Sequence, residues 1–342
     1  MAMRKPLRIG ILIAVILVIG LGSFYFAGRS FRAPQTGKPL SITIAQFGEF
    51  FLYMPLYIAQ DKGFFADEGL KVSIVNTGGD DKTFAAVLSG DAQFGVSDPT
   101  FVAIAHERGQ GGKVVASIVS GVPFWGVTKR KDIAPLKSPK DLKGLSVATF
   151  PAPSTAYTLQ ARMFKDAGLK PNIRQGSFGT LLALLEARQA DIALELEPNV
   201  STAVKQGARV VYSLSEVYGD FAITGLMTSE KIVRENPALV QRVVNALERA
   251  MKFAQTDQEG VIEFARVRFP GLDPEVSKNA IVRVIKERTL PQHTRVSERG
   301  WLEACRLRYQ VGDLKSLQNV EQLVDNSFAI RAANAVEGVG SR

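Results

Sequence analysis

The stretch from Ser41 to Val75, SITIAQFGEFFLYMPLYIAQDKGFFADEGLKVSIV, leaves few ways for this chain to begin folding. SITIA alternates with period two and is rich in β-branched residues, which predicts a strand. After the loop QFGEFFLYM, Pro55 suits the first turn of a short helix, where its missing N–H removes no bond. That helix carries Leu56, Ile58 and Ala59, and Gly63 is placed to end it in a left-handed cap. KVSIV predicts a second strand. Strand, helix and strand at this spacing imply a parallel pair with a right-handed crossover. Ligands of open α/β sheets bind beyond the carboxyl ends of the strands, so the aromatic loop after SITIA is the first candidate for a binding surface.

With 342 residues the chain can bury a large core and is expected to form two lobes. Its formal charge of +9 is concentrated at the start. Residues 1–33 hold Arg4, Lys5, Arg8, Arg29 and Arg32 and no acid, leaving 37 basic against 33 acidic residues in the rest. A body so nearly balanced, with no basic stripe interleaved with aromatics, argues against a nucleic-acid partner. Ile9 to Gly28 carries no charge and matches the ~20 residues a transmembrane helix needs. The exit FYFAGRS lacks the small residues of a cleavage site, which favours an uncleaved anchor at the outer face of the membrane over a removed signal peptide. The lone Cys305 can form no internal disulfide, and its position excludes an N-terminal lipid anchor. An exported protein without disulfides fits a periplasmic or cell-surface setting.

Residues 1–39 are thus read as signal or anchor helix and spacer, 40–126 with 222–330 as lobe 1, 127–221 as lobe 2, and 331–342 as a flexible tail. Two segments echo each other: AAVLSGDAQFGVSDP and LALLEARQADIALELEP. Each runs amphipathic helix, small or acidic turn, short strand, then acid-Pro into another helix. Two lobes on one plan would face each other across a cleft lined by strand ends and helix N-termini. From Ser229 onward the periodicity is helical, and these helices are expected to pack on lobe 1 and tie the lobes together.

The catalytic inventory is thin. His106 and His293 sit in no metal-ligand spacing, and no nucleophile elbow, phosphate loop or dinucleotide fingerprint occurs. No catalytic residue, metal or cofactor is therefore expected. Asp80 and Asp81 read as helix caps. Asp98, before Pro99, reads as a cap or a cleft contact. Glu195 and Glu197, two apart on a strand, share one face, where they are either solvated and capping or accept hydrogen bonds from an amino or amidine group. Trp125 reads as packing or as a stacking platform. In the loop FFLYM, Phe50 and Tyr53 are candidate ligand contacts. Ser154 and Thr155 open a helix whose free amides favour an anion, as do those near Ser97. A bare inorganic anion is disfavoured, because the loops 46–53, 97–100, 150–156 and 195–199 hold no Lys or Arg.

PLYIAQDKGFFADEGLKVSIV, GGDDKTFAAVLSGDAQFGVSDP and DLKGLSVATFPAPSTAYTLQARMFKDAGL closely resemble solute-binding proteins of ABC importers. The branch is the one serving nitrate, sulfonates, taurine and thiamine-precursor pyrimidines, and the resemblance covers roughly residues 40–330. It implies an α/β, two-lobe periplasmic-binding-protein fold of type II with two crossovers between lobes. It further implies a monomer that closes on a small nitrogen- or sulfur-containing solute and hands it to an ABC permease and ATPase. Carried onto this chain, the pocket would be lined by Gln46 to Tyr53, Ser97 to Thr100, Ser154 to Ala156 and Glu195 to Asn199. A related enzyme branch carries a run of cysteines that is missing here, which disfavours catalysis. A membrane-anchored sensor or accessory ectodomain is the alternative.

Overall fold

The computed structural model describes residues 38–340, so the expected anchor segment at 9–28 lies outside the described residues. Among the described residues no helix is long and apolar enough to cross a membrane. The first parallel pair forms as its pattern predicts: β1 (Leu40–Gln46) runs beside β2 (Leu70–Asn76), with Ile42 opposite Val72 and Ile44 opposite Ile74. Pro55 lies in the first turn of the intervening helix Met54–Asp61, and Gly63 takes the left-handed φ of 78° just after it.

Eight further strands complete two sheets. They are β3 (Phe94–Ser97), β4 (Lys113–Ser120), β5 (Trp125–Thr128), β6 (Val147–Thr149), β7 (Ile173–Gln175), β8 (Ile192–Glu195), β9 (Arg209–Ser213) and β10 (Ala222–Thr228). The first sheet has the order β2-β1-β3-β10-β4 and the second the order β7-β6-β8-β5-β9. Each thus contains three parallel strands followed by an antiparallel one, β10 in the first and β5 in the second. This is the two-lobe α/β architecture that the echo between the segments ending in Asp98-Pro99 and Glu197-Pro198 anticipates. Strands β3, β8 and β10 are buried along their whole length, which is why they read as near-continuous apolar runs rather than alternating ones.

The chain crosses between sheets at residues 121–124 and returns at 214–221. Trp125 and Gly126 therefore pair within the second sheet, slightly ahead of the boundary expected after residue 126. The two crossing segments are stitched together: the Ser215 hydroxyl donates to the Val122 carbonyl at 2.8 Å and accepts from its amide, and the Leu214 amide donates to the Phe124 carbonyl. Strand β7 is only three residues long and mostly exposed, so no apolar run marks it in the sequence.

The helical C-terminal part divides its allegiance. The 20-residue helix Pro237–Thr256 buries Leu239, Val243, Leu247 and Met251 against the helix Met54–Asp61. By contrast the helix Pro274–Lys286 packs on Asn199–Lys205 of the second sheet's side, where Arg283 pairs with Glu197 and Lys205 with Asp273. Residues 331–340, expected to be flexible, are helical within Ser327–Gly340. Phe328, Ala329 and Ala332 are buried there against Pro237–Thr256, and Gln241 donates to the Phe328 carbonyl.

Candidate functional site

Between the sheets lies a cleft of about 510 Å³. One side comes from Phe47, Phe50 and Tyr53 after β1, the Gly78–Lys82 turn, and Asp98 after β3. The other comes from Phe150 after β6, Pro153 to Ala156, Phe178 after β7 and Leu196 after β8. Phe124 from the crossing segment and Thr224 from β10 close the back.

The walls are a connected set of rings. Phe50 contacts Phe47 at 5.2 Å and meets Tyr53 edge-on at 5.3 Å. Phe178, on the far side, meets Phe50 edge-on at 5.1 Å and stacks toward Phe150 at 6.2 Å, which in turn lies 6.2 Å from Phe124. Phe178 stays 46 % exposed although it bridges the two sides. Such a ring-lined wall offers aromatic surface against which a flat ring can stack.

The floor is polar. The Asp98 amide donates to Asp80 Oδ1 at 2.9 Å, and Asp98 Oδ1 accepts from the Thr100 amide at 2.8 Å and its hydroxyl at 2.6 Å. Asp98 Oδ2 accepts from Arg308 Nη2 at 2.8 Å and from the Thr155 hydroxyl at 2.6 Å. Desolvation and the nearby Asp98 carboxylate push the Asp80 carboxyl up to about 7. Burial, with the nearby Asp80 carboxylate, holds the Tyr53 phenol well above its usual range. Lys82, exposed at the rim, is the one cation among the lining residues, since Arg308 is spent on Asp98, Asp313 and backbone below the floor.

Of the ten residues singled out from sequence, Phe50, Tyr53, Asp98, Ser154 and Thr155 line this cleft. Ser154 caps its helix by accepting from the Tyr157 amide, which leaves its hydroxyl engaged locally. The other five sit elsewhere. Gln46 is held by Asn76 and Tyr57 beneath the first sheet's edge, and Ser97 is buried at the end of β3. Trp125, fully buried, donates to Glu287 at 2.7 Å, just past the end of the helix Pro274–Lys286. Glu197 accepts from Arg283 Nε at 2.7 Å and from the Ser201 amide and hydroxyl, so from just before the cap position at Pro198 it serves the first turn of the following helix. Glu195 has one oxygen on Asn199 and the Leu196 amide and the other unpartnered, and desolvation pushes it up to about 7.

Asp80 and Asp81 are first-turn residues of the helix Asp80–Ser89, whose cap position is Gly79, not caps themselves. Phe47 falls inside the expected Gln46 to Tyr53 wall, whereas Phe124, Phe150, Phe178 and Arg308 lie outside the expected lining. Phe150 stands where Phe47 does, as the aromatic residue directly after a strand, since β1 ends at Gln46 and β6 at Thr149. Arg308 carries no such signature, lying 210 residues from Asp98 in a helix that reads as ordinary amphipathic packing.

Residues 51–260 match the family model described as NMT1/THI5 like. The chain is 22 % identical over 320 residues to the putative binding protein YtlA of Bacillus subtilis strain 168, covering 90 % of this chain and 95 % of that protein. It is 23 % identical over 293 residues to the riboflavin-binding protein RibY of Chloroflexus aurantiacus, covering 81 % and 82 %. The alkanesulfonate-binding protein SsuA of Xanthomonas axonopodis pv. citri, solved bound to MOPS, superposes with a TM-score of 0.66 at 20 % identity over 85 % of this chain and all of its own. The two-sheet architecture is therefore the periplasmic-binding-protein fold of ABC-importer solute-binding proteins, and the chain belongs to the NMT1/THI5-like family.

Proposed function

We propose that this protein is the extracytoplasmic solute-binding component of an ABC importer and that it captures a small, flat, nitrogen-bearing heterocycle of the thiamine-precursor pyrimidine kind. The observation that carries this reading is the ring-walled cleft: Phe50 and Phe178 approach to 5.1 Å from opposite sheets above an acidic floor of Asp80 and Asp98. A wall of aromatic rings favours a planar solute, and a carboxyl group beside Tyr53 and Thr224 favours one that donates hydrogen bonds. The solute would pass to a permease and ATPase, the protein acting as a monomer that binds rather than catalyses. The apolar segment at Ile9 to Gly28 would direct export and, if retained, hold the body at the membrane's outer face.

A taurine-like sulfonate is the second reading, favoured by the helix N-terminus at Ser154 and Thr155 lining the same cleft as Lys82 and Asp80. Native mass spectrometry of the purified protein, followed by titration calorimetry with a 4-aminopyrimidine, riboflavin, taurine and nitrate, separates the two. Micromolar or tighter binding of the aminopyrimidine or riboflavin supports the proposal. Heat only with taurine supports the second reading, and heat with none of the four overturns both.

A further inference from the structure

Asp98 is joined to more than its own lobe. Arg308, 1 % exposed, projects from the helix Glu298–Gln310, which packs on the first sheet's β10 and on the helix Thr100–His106. Its base is fastened to that lobe, because Glu107 accepts from the Lys315 and Ser316 amides and from Gln318, pinning the segment after the helix. From this fixed mount the guanidinium divides its donors. Nη2 reaches Asp98 Oδ2 at 2.8 Å and Nε reaches the Thr100 hydroxyl at 3.2 Å, both on the first lobe. Nη1 reaches the Pro153 carbonyl at 3.2 Å and Nη2 the Thr155 hydroxyl at 3.1 Å, both on the second. Thr155 closes the ring by donating to Asp98 Oδ2 at 2.6 Å. Asp98, Pro153 and Thr155 all line the cleft from which Arg308 itself is hidden.

We propose that Arg308 is a positioning residue that latches the lobes together beneath the solute and holds Asp98 and Thr155 in their cleft geometry. A planar fork with five donors can serve an acid on one lobe and a carbonyl on the other at once, which a lysine ammonium cannot do in the same fixed directions. The two crossing segments keep the lobes covalently joined, so opening must break the Pro153 and Thr155 contacts, along with the Phe50–Phe178 ring contact, while the Asp98–Arg308 ion pair stays within the first lobe. The latch therefore contributes to closure rather than to the folding of either lobe.

The proposal rests on reading the cleft as a solute site, but its test does not need a solute. Spin labels at Lys71→Cys and Lys170→Cys, exposed positions on the two lobes, report the interlobe distance in the ligand-free protein, with the buried Cys305 left in place. Arg308→Met and Thr155→Val should each shift the distribution toward longer distances, Arg308→Lys should lie between, and Arg306→Met, on the same helix but paired only with Glu303, should match the parent. With a 4-aminopyrimidine as probe, Arg308→Met should speed dissociation by at least about tenfold and leave association within about threefold, the pattern of a lost closed state. An unchanged distribution in both Arg308→Met and Thr155→Val overturns the latch. Should Arg308→Met fail to fold, Thr155→Val decides alone, since it leaves the Asp98–Arg308 ion pair intact. Failure of the probe to bind would count against the proposed function and leave the distance result standing.

Discussion

Glu195 ends β8 with no exposure to solvent, one oxygen on Asn199 and the Leu196 amide and the other unpartnered. Desolvation raises it from the ordinary glutamate value of 4.5 to about 7. Between those two pH values the folded protein keeps a proton that the unfolded chain releases, so stability falls as pH rises through this window. At ~1.4 kcal/mol per pH unit, ionising the group inside the fold costs about 3 kcal/mol once pH exceeds its folded value, and nothing below the unfolded one. Glu195→Gln removes that dependence while its carbonyl still accepts from the Leu196 amide. Relative to the parent, the variant should be near neutral at pH 5 and more stable by about 2–3 kcal/mol at pH 8. Urea unfolding at pH 5, 6, 7 and 8 at constant ionic strength measures the difference, with Trp125, directly opposite on β5, reporting by fluorescence. A difference that stays flat from pH 5 to pH 8, or a variant that loses ground as pH rises, would refute the desolvation reasoning.

Phe178→Ala deletes a half-exposed ring whose contacts to Phe50 and Phe150 span the cleft. One lost contact between ring and solute, at about 0.5–1.5 kcal/mol, should weaken binding of the 4-aminopyrimidine roughly 2- to 12-fold by calorimetry. Because Asp80 titrates well above the usual carboxylate range, capture of a permanently cationic amino-heterocycle should strengthen as pH rises through neutrality, and Asp80→Asn should flatten that profile. Arg283→Met strands the fully buried Glu197, whose carboxyl burial already pushes up; the variant should lose about 3 kcal/mol in urea unfolding at pH 8 and regain part of it at pH 5.

The fold was largely legible because its determinants are local. Period-two runs, Pro55 in a helix's first turn and Gly63 past its end are each decided by neighbouring residues, and β1, the helix and β2 formed accordingly. The tail was misjudged for the complementary reason. AANAVEG looks weakly amphipathic alone, and its helix is stabilised by Phe328 and Ala332 settling on Pro237–Thr256, some ninety positions earlier in the chain. Arg308 is the extreme case, since nothing near it in sequence distinguishes a latch from a snorkelling arginine.

The placement of the site residues follows one rule that the sequence did contain. On each of the four inner parallel strands, the last strand residue turns into the core and the next one faces the cleft. Gln46 is buried and Phe47 lines; Ser97 is buried and Asp98 lines; Thr149 is buried and Phe150 lines; Glu195 is buried and Leu196 lines. Successive side chains on an extended chain point to opposite faces, so a shift of one residue reverses the assignment. Glu195 and Glu197 do not share a strand, because β8 ends at Glu195 and Glu197 lies in the following turn; both nevertheless turn toward the packing helices, where Asn199 and Arg283 receive them. Leu196, between them, lines the cleft. Strand ends locate a cleft in this fold to within a few residues, but only the phase of the pleat at each end decides whether an acid there binds a ligand or braces a helix.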